Sequence, residues 1–183
     1  DLAVQKAEAD AARERSEYLA NHDILTGLPN RRAFIEHLRT IMMQPEDHGV
    51  GLLFIDLDKF KEVNDTLGHD AGDALLLNLA RTLGKAFRRG DTVSRLGGDE
   101  FAVVLRGLNG PEDLLRPIEV LQSHLRKPVE HDGRSFTISA SLGAAIHDDP
   151  DADPWHLLKN ADVALYEANS GGRNRCVVFK PSM

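Results

Sequence analysis

The sequence predicts an α/β fold, a mixed central sheet with helices on both faces, and three observations carry that prediction. Residues 50–56 are nearly all apolar, as expected of a central strand covered on both sides. Stretches with helical composition or periodicity alternate with strand-like runs along the chain. A Gly97-Gly98 pair separates two short strand-like runs, 92–96 and 99–106. Such a pair is the signal of a tight hairpin, because a type I′ turn needs φ > 0 at both central positions.

Taken in order, residues 1–22 are rich in Ala, Glu, Arg and Gln and contain no Gly or Pro, a strong helix composition. Val4, Ala7, Ala11 and Tyr18 fall at heptad-like spacing, but Glu14 breaks the seam. Asp23 to Asn30 is a turn-rich connection, and Asn30 is the expected N-cap of a helix to Met43. Phe34, Ile35, Leu38, Ile41 and Met42 form the apolar face of that helix. A polar loop over 44–49 precedes the apolar strand, and a short helix or turn is expected over 59–67.

Asp70 is the expected cap of the next helix, which runs to Arg88 through Leu75, Leu76, Leu79, Leu83 and Phe87. After the hairpin, Pro111 opens a helix to Arg126, with Glu112 and Asp113 suiting its positive end. Residues 136–146 alternate as one long strand, Asp153-Pro154 opens a last helix to Asn169, and 175–179 closes the chain as a strand.

The 183 residues suffice for one well-filled domain plus an appendage. Charged residues at 28% and apolar ones at 42% indicate a globular chain. A formal charge of −7 argues against nucleic-acid partners, which need a basic surface. It permits a nucleotide ligand where cations gather locally. The single cysteine, Cys176, cannot form an internal disulfide, which fits a reducing, cytoplasmic compartment. The chain opens at Asp1 directly in helix-like sequence and reads as a piece excised from a larger protein. The eight histidines show no zinc spacing, and His69 reads as structural. Trp155 and Tyr166 read as packing residues of the last helix, and Ser141 has no catalytic partner in view.

Two acids, Asp99 and Glu100, follow the glycine pair at once, and as strand neighbours they should diverge. Bare backbone at Gly97 and Gly98 would let a ligand come close. Taken alone, this is better explained as an ordinary turn with solvated charges. A second acidic stretch alters that balance: 51–58 reads as a buried strand ending in Asp56-Leu57-Asp58.

With Lys59-Phe60-Lys61-Glu62-Val63-Asn64-Asp65 and Gly68-His69-Asp70-Ala71-Gly72-Asp73, these segments resemble the GGDEF family, the diguanylate cyclase domains. Leu25-Thr26-Gly27-Leu28-Pro29-Asn30-Arg31-Arg32, Ser141-Leu142-Gly143, and Ala161-Asp162 through Tyr166 to Gly172-Arg173-Asn174 extend the resemblance over roughly residues 21–180. It implies the palm-like fold shared with class III nucleotidyl cyclases. It implies a signalling-linker helix at 1–22 below an upstream sensor, a cyclase domain at 23–180 and the start of a C-terminal linker at 181–183.

By the resemblance, Asp56, Asp99 and the Leu57 carbonyl hold magnesium or manganese. Glu100 binds a second ion or helps deprotonate the attacking 3′-hydroxyl. The amides of Lys59, Phe60 and Lys61 open a helix whose positive end favours phosphate. Lys61 adds a point charge and Arg173 a planar fork. Asn64 and Asp73 fall at guanine-reading positions; a turn residue and a helix-capping acid are their plainer roles. Arg88 and Asp91 form an R-x-x-D at the place of the family's inhibitory site for the product, cyclic di-GMP; an exposed ion pair is the plainer account. Arg116 is a further candidate contact there. The chain departs from the pattern at Asn169, where the family usually has a lysine, four residues before Arg173.

The function so implied is condensation of two GTP into cyclic di-GMP and two pyrophosphates by a homodimer. The rival is a weak or inactive module that binds GTP or cyclic di-GMP and controls a neighbour. Asn169 favours the rival. So does the ending at 179–183, which resembles the junction after which many such domains continue into an EAL phosphodiesterase.

Overall fold

A computed structural model describes residues 1–44, 49–147 and 153–183. Helix α1 (Leu2–Asn21) leads into α2 (Arg31–Met42). Strand β1 (Gly49–Leu57), helices α3 (Phe60–Leu67) and α4 (His69–Ala86), and strands β2 (Thr92–Gly97) and β3 (Glu100–Leu108) follow. A 3-10 turn at Pro111–Leu114 enters α5 (Leu115–Leu125), then come β4 (Val129–His131), β5 (Arg134–Phe136) and β6 (Ala140–His147). Helix α6 (Pro154–Ser170) and strand β7 (Cys176–Val178) complete the chain.

Five strands form one sheet in the order β2-β3-β1-β6-β7, antiparallel except for the β6–β7 pair. The fold class is therefore as the sequence predicts. Alternation along the strands divides the core in two. Leu53, Ile55 and Leu57 of β1 join Phe101, Val103, Leu142 and Ala144 under α4 and α5, through Leu76, Leu79, Leu83, Ile118 and Leu121. Val50 and Leu52 join Ala102, Val104 and Ala145 under α2 and α6, through Phe34, Leu38, Ile41, Leu157 and Ala161. Each large side chain so buried contributes about 1.5–3 kcal/mol.

Local signals hold at both long caps. Asn30 Oδ1 accepts from the Ala33 amide at 3.1 Å, and Asp153 Oδ1 from the Trp155 amide at 3.0 Å. Among the described residues, α1 buries none of its side chains. Two hydrogen bonds from Asn30, its Nδ2 to the Ala20 carbonyl and its amide to the Asn21 carbonyl, fasten the end of α1 to the start of α2. None of the described helices is long and apolar enough to cross a membrane.

Several expectations change. The hairpin turn centres on Gly98-Asp99, one residue later than the glycine pair: Gly97 lies in β2 at a register shift, paired with Glu100. Gly98 has φ 51 and Asp99 is absent from the positive-φ residues, so the turn is not type I′. Asp70 lies inside the first turn of α4, whose cap position is Gly68, so the expected cap does not form; only Gly68 separates α3 from α4, leaving no capping side chain.

The long strand expected over 136–146 is broken at 137–139, and its first part pairs back as a separate β4–β5 hairpin. Trp155 and Tyr166 are 55% and 70% exposed rather than packed inside; Arg39 lies over the Trp155 ring. The loop expected over 44–49 falls largely outside the described residues.

Candidate active site

The sheet itself brings the acids together. Antiparallel pairing of β1 with β3 sets Asp56 opposite Glu100, so the turn residue Asp99 lands beside the end of β1. The Leu57 amide donates to the Asp99 carbonyl at 3.4 Å. Burial, a hydrogen bond shared with the Asp99 side chain, and the charges of Asp99, Glu100 and Asp58 push the Asp56 carboxyl up to about 8. A crowd of acids that holds a proton this tightly is one that a cation would relieve. Among the described residues no three His, Cys, Asp or Glu side chains form a ready-made cage. Glu100 is exposed and ion-paired with Arg31 at 3.4 Å.

Next to the acids the chain turns sharply. Lys59 is left-handed, φ 58, and starts α3 without a side-chain cap among the described residues. The first amides of a helix lack partners within it, so the turn at Lys59, Phe60 and Lys61 offers donors to an anion. A cleft of about 660 Å³ opens beside it, lined by Asp58, Lys59, Glu62 and Val63 together with residues 137–139, Gly172 and Arg173. The cleft does not include Asp56 or Asp99, but Asp58, two residues after Asp56, lines it. Arg173 is also left-handed, φ 64, and its exposed side chain shares the cleft with Lys59. Lys61 is exposed but does not line it.

On the other side of α3 the Asn64 amide lies against Gly72 of α4, so closely that a Cβ there would run into it. Asp73, the next residue, is exposed. Asn64 thus packs against α4 one residue before Asp73. Asn169 sits in the last turn of α6, its carbonyl accepting from the Gly172 amide.

Arg88 and Asp91 are neighbours in the turn between α4 and β2. The Arg88 side chain is 69% exposed and that of Asp91 only 2%. Asp91 accepts from the amides of Arg88 and Arg106, and Arg88 Nη2 donates to the Arg106 carbonyl. The carboxylate is thus committed to the turn, while much of the guanidinium stays in solvent. Arg116 is exposed on α5.

Sequence reasoning missed Asp58 as a site residue, although the D-x-D pattern displayed it. It is buried and accepts from Ser139 Oγ, Ser141 Oγ at 2.6 Å and the Asn174 amide at 2.9 Å. This also gives Ser141 a partner. The ion pair of Arg95 with Asp23 had no local signal, since 72 residues separate the two.

Comparison with known proteins identifies the family. The family model described as diguanylate cyclase, GGDEF domain, matches residues 20–175. The chain is similar to the diguanylate cyclase TpbB of Pseudomonas aeruginosa, 40% identical over 157 residues, covering 84% of this chain and 36% of that protein. It is similar to the bifunctional diguanylate cyclase/cyclic di-GMP phosphodiesterase MucR of the same organism, 38% identical, covering 90% of this chain and 24% of MucR. The chain thus spans little more than a third of TpbB and a quarter of MucR. Among solved structures, the coiled coil and GGDEF domain of DgcB from Caulobacter crescentus, in complex with c-di-GMP, superposes with a TM-score of 0.84 at 28% identity, covering 97% of this chain and 96% of that one.

Proposed function

The chain belongs to the GGDEF family of diguanylate cyclase domains, and from that membership we propose that it condenses two GTP into cyclic di-GMP and two pyrophosphates. The observation that carries the reading is the meeting of Asp56 and Asp99 beside the uncapped entrance of α3.

In this reading Asp56, Asp99 and the Leu57 carbonyl hold magnesium or manganese, which offsets the charge of the triphosphate. The amides of Lys59, Phe60 and Lys61, the Lys61 ammonium and the Arg173 guanidinium grip the phosphates. Asn64 and Asp73 read guanine, whose adjacent N1–H and N2–H₂ donors suit a carboxylate; adenine has no such pair. Gly97 and Gly98 leave the backbone bare where the nucleotide approaches. Each domain presents one GTP, so two domains face each other about a two-fold axis. Each 3′-oxygen forms a bond to the other nucleotide's α-phosphorus as the bond to pyrophosphate breaks, and Glu100 takes the hydroxyl proton. Product returning to the surface is held by Arg88, while Asp91 keeps the turn that presents it; a guanine would reach Asp91 only by displacing an amide.

The test is incubation of purified protein with GTP and magnesium, followed by product analysis. Cyclic di-GMP should form at a rate that rises steeply with protein concentration and vanishes in Asp99→Ala. Protein that dimerises and binds GTP with the metal, yet never yields product, overturns the proposal. Asn169 favours a second reading, a domain that binds GTP and regulates an EAL neighbour in its parent protein. Calorimetry that finds GTP binding without turnover selects that reading.

A further inference from the structure

Asp58 is the one acid of the β1 end that faces inward. It is 6% exposed, and its carboxylate accepts from three donors belonging to two other parts of the chain: the Ser139 and Ser141 hydroxyls at the start of β6, and the Asn174 amide after α6. Its own amide donates to the Ser139 carbonyl at 2.9 Å. The β1–β6 ladder ends at Leu57 opposite Ala140, so Asp58 stitches the sheet one step further, where the strand has already broken.

What stands around this carboxylate gives it meaning. Lys59, its immediate successor, has φ 58; Arg173 and Asn174 have φ 64 and 47. Left-handed backbone is disfavoured for residues with a Cβ, so each needs something to hold it there. The bond from the Asn174 amide to Asp58 fixes one of these segments directly onto the other. Lys59 and Arg173 then line the same cleft, with Asp58 between their two loops.

We propose that Asp58 is a positioning residue, whose buried carboxylate ties the 172–174 loop to the end of β1 and so sets the spacing between Arg173 and the Lys59 turn. This rests on the cyclase reading, because it takes those two elements as the grip on the triphosphate. Asp58 borders the cleft as well, but its carboxylate is taken up by the Ser139, Ser141 and Asn174 donors, and it acts through Arg173.

Asp58→Asn keeps the shape but removes the charge and turns one acceptor oxygen into an NH₂, so either the Asn174 amide loses its acceptor or a serine hydroxyl must turn round to accept. Calorimetric titrations of GTP and of GMP, each with magnesium, compare wild type, Asp58→Asn, Arg173→Ala and the double variant. Asp58→Asn should weaken GTP about tenfold and GMP less than twofold. In the Arg173→Ala background it should add less than a twofold loss, since the pair acts as a unit. Hydrogen exchange should quicken over 172–175 and stay unchanged in β1 and β3. Should Asp58→Asn fail to fold, Ser139→Ala removes one anchor and should show the same pattern with about a threefold loss for GTP. Equal losses for GTP and GMP, additive losses in the double variant, or unchanged exchange overturn the inference alone. Wild-type protein that binds no GTP overturns the cyclase reading together with it.

Discussion

Arg95 Nη1 donates to both carboxylate oxygens of Asp23, at 2.9 and 3.0 Å, while its Nε and Nη2 close on the Gly98 carbonyl at 3.0 and 2.7 Å. One guanidinium thus joins the connection after α1 to the turn that carries Asp99. Asp23 is held in place by Thr26, whose amide and hydroxyl both donate to it.

Removing this fork should loosen the turn. A hydrogen bond to a charged partner is worth about 1.5–3 kcal/mol. Arg95→Ala should therefore lower the melting temperature by about 4–8 °C for a loss near 2 kcal/mol. Cyclic di-GMP formation should fall about tenfold, because each ångström of misplacement is costly at a reacting centre. Arg95→Lys should recover only part of either, having no planar fork. Full turnover in Arg95→Ala, by product assay, would show that the hairpin needs no such support.

The acid cluster should cost stability in the absence of metal. Asp99→Asn removes a like charge from beside Asp56. We expect it to raise the metal-free melting temperature by about 2–4 °C. It should also cut turnover at least a hundredfold. Calorimetric scans with chelator present, alongside the product assay, check the opposite signs.

Two carboxyls give the stability a defined pH dependence. Asp56 is raised from 3.8 to about 8, so between those values the folded state keeps a proton that the unfolded state has lost. Stability must then decline as pH rises from 4 to 8. Asp23 works the other way. Burial would raise its value, but the bonds from Thr26 and Arg95 outweigh burial and lower it, so its contribution is present above about 3.8 and disappears in stronger acid. Thermal unfolding of metal-free protein should show melting at pH 8 on the order of 5 °C below that at pH 6. Asp56→Asn should flatten that difference, and a flat wild-type profile counts against the crowded pair.

Gly72 should tolerate no side chain. Its hydrogen occupies the place where a Cβ would meet the Asn64 amide. Gly72→Ala should cost about 1–3 kcal/mol by overpacking. If Asn64 reads guanine, preference for GTP over ATP should shrink as well, measured by competition binding.

Asn169→Lys supplies the cation that the family pattern has. It should tighten GTP three- to tenfold, an effect that shrinks with added salt as a surface charge interaction must. A drop in KM with little change in kcat is the expected signature. No gain at low salt would mean that this chain has arranged its phosphate contacts differently.

The sheet was legible because its signals are strong and local. The unbroken apolar run of β1 could only be a strand covered on both faces, and Asn30 and Asp153 each stand where a cap is needed. The glycine pair was read correctly as a hairpin and wrongly as its turn. Gly97 and Gly98 both have positive φ, 134 and 51, but Gly97 still belongs to β2, whereas Asp132 and Gly133, 50 and 72, fill the two-residue turn between β4 and β5. That Asp-Gly pair was the better type I′ signal, and it passed unread because the apolar alternation after 136 suggested one continuous strand.

In the site, Asp56, Asp99 and Arg173 were visible by resemblance. Asp58 was not, because nothing local distinguishes an acid facing hydroxyls inside from one facing water. Its partners lie 81 to 116 positions away. Distance along the chain likewise hid the partnership of Arg95 and Asp23.

The sheet order places β1 in the middle, with β3 and β6 bonded on its two sides. Asp56 is therefore anchored at the end of a strand bonded on both sides, whereas the groups that would recognise a nucleotide hang from short helices and loops around it. Exchanging those outer parts could change which molecule is accepted while the central acids kept their mutual placement. Chemistry and selectivity are in this sense separately inheritable within one small domain.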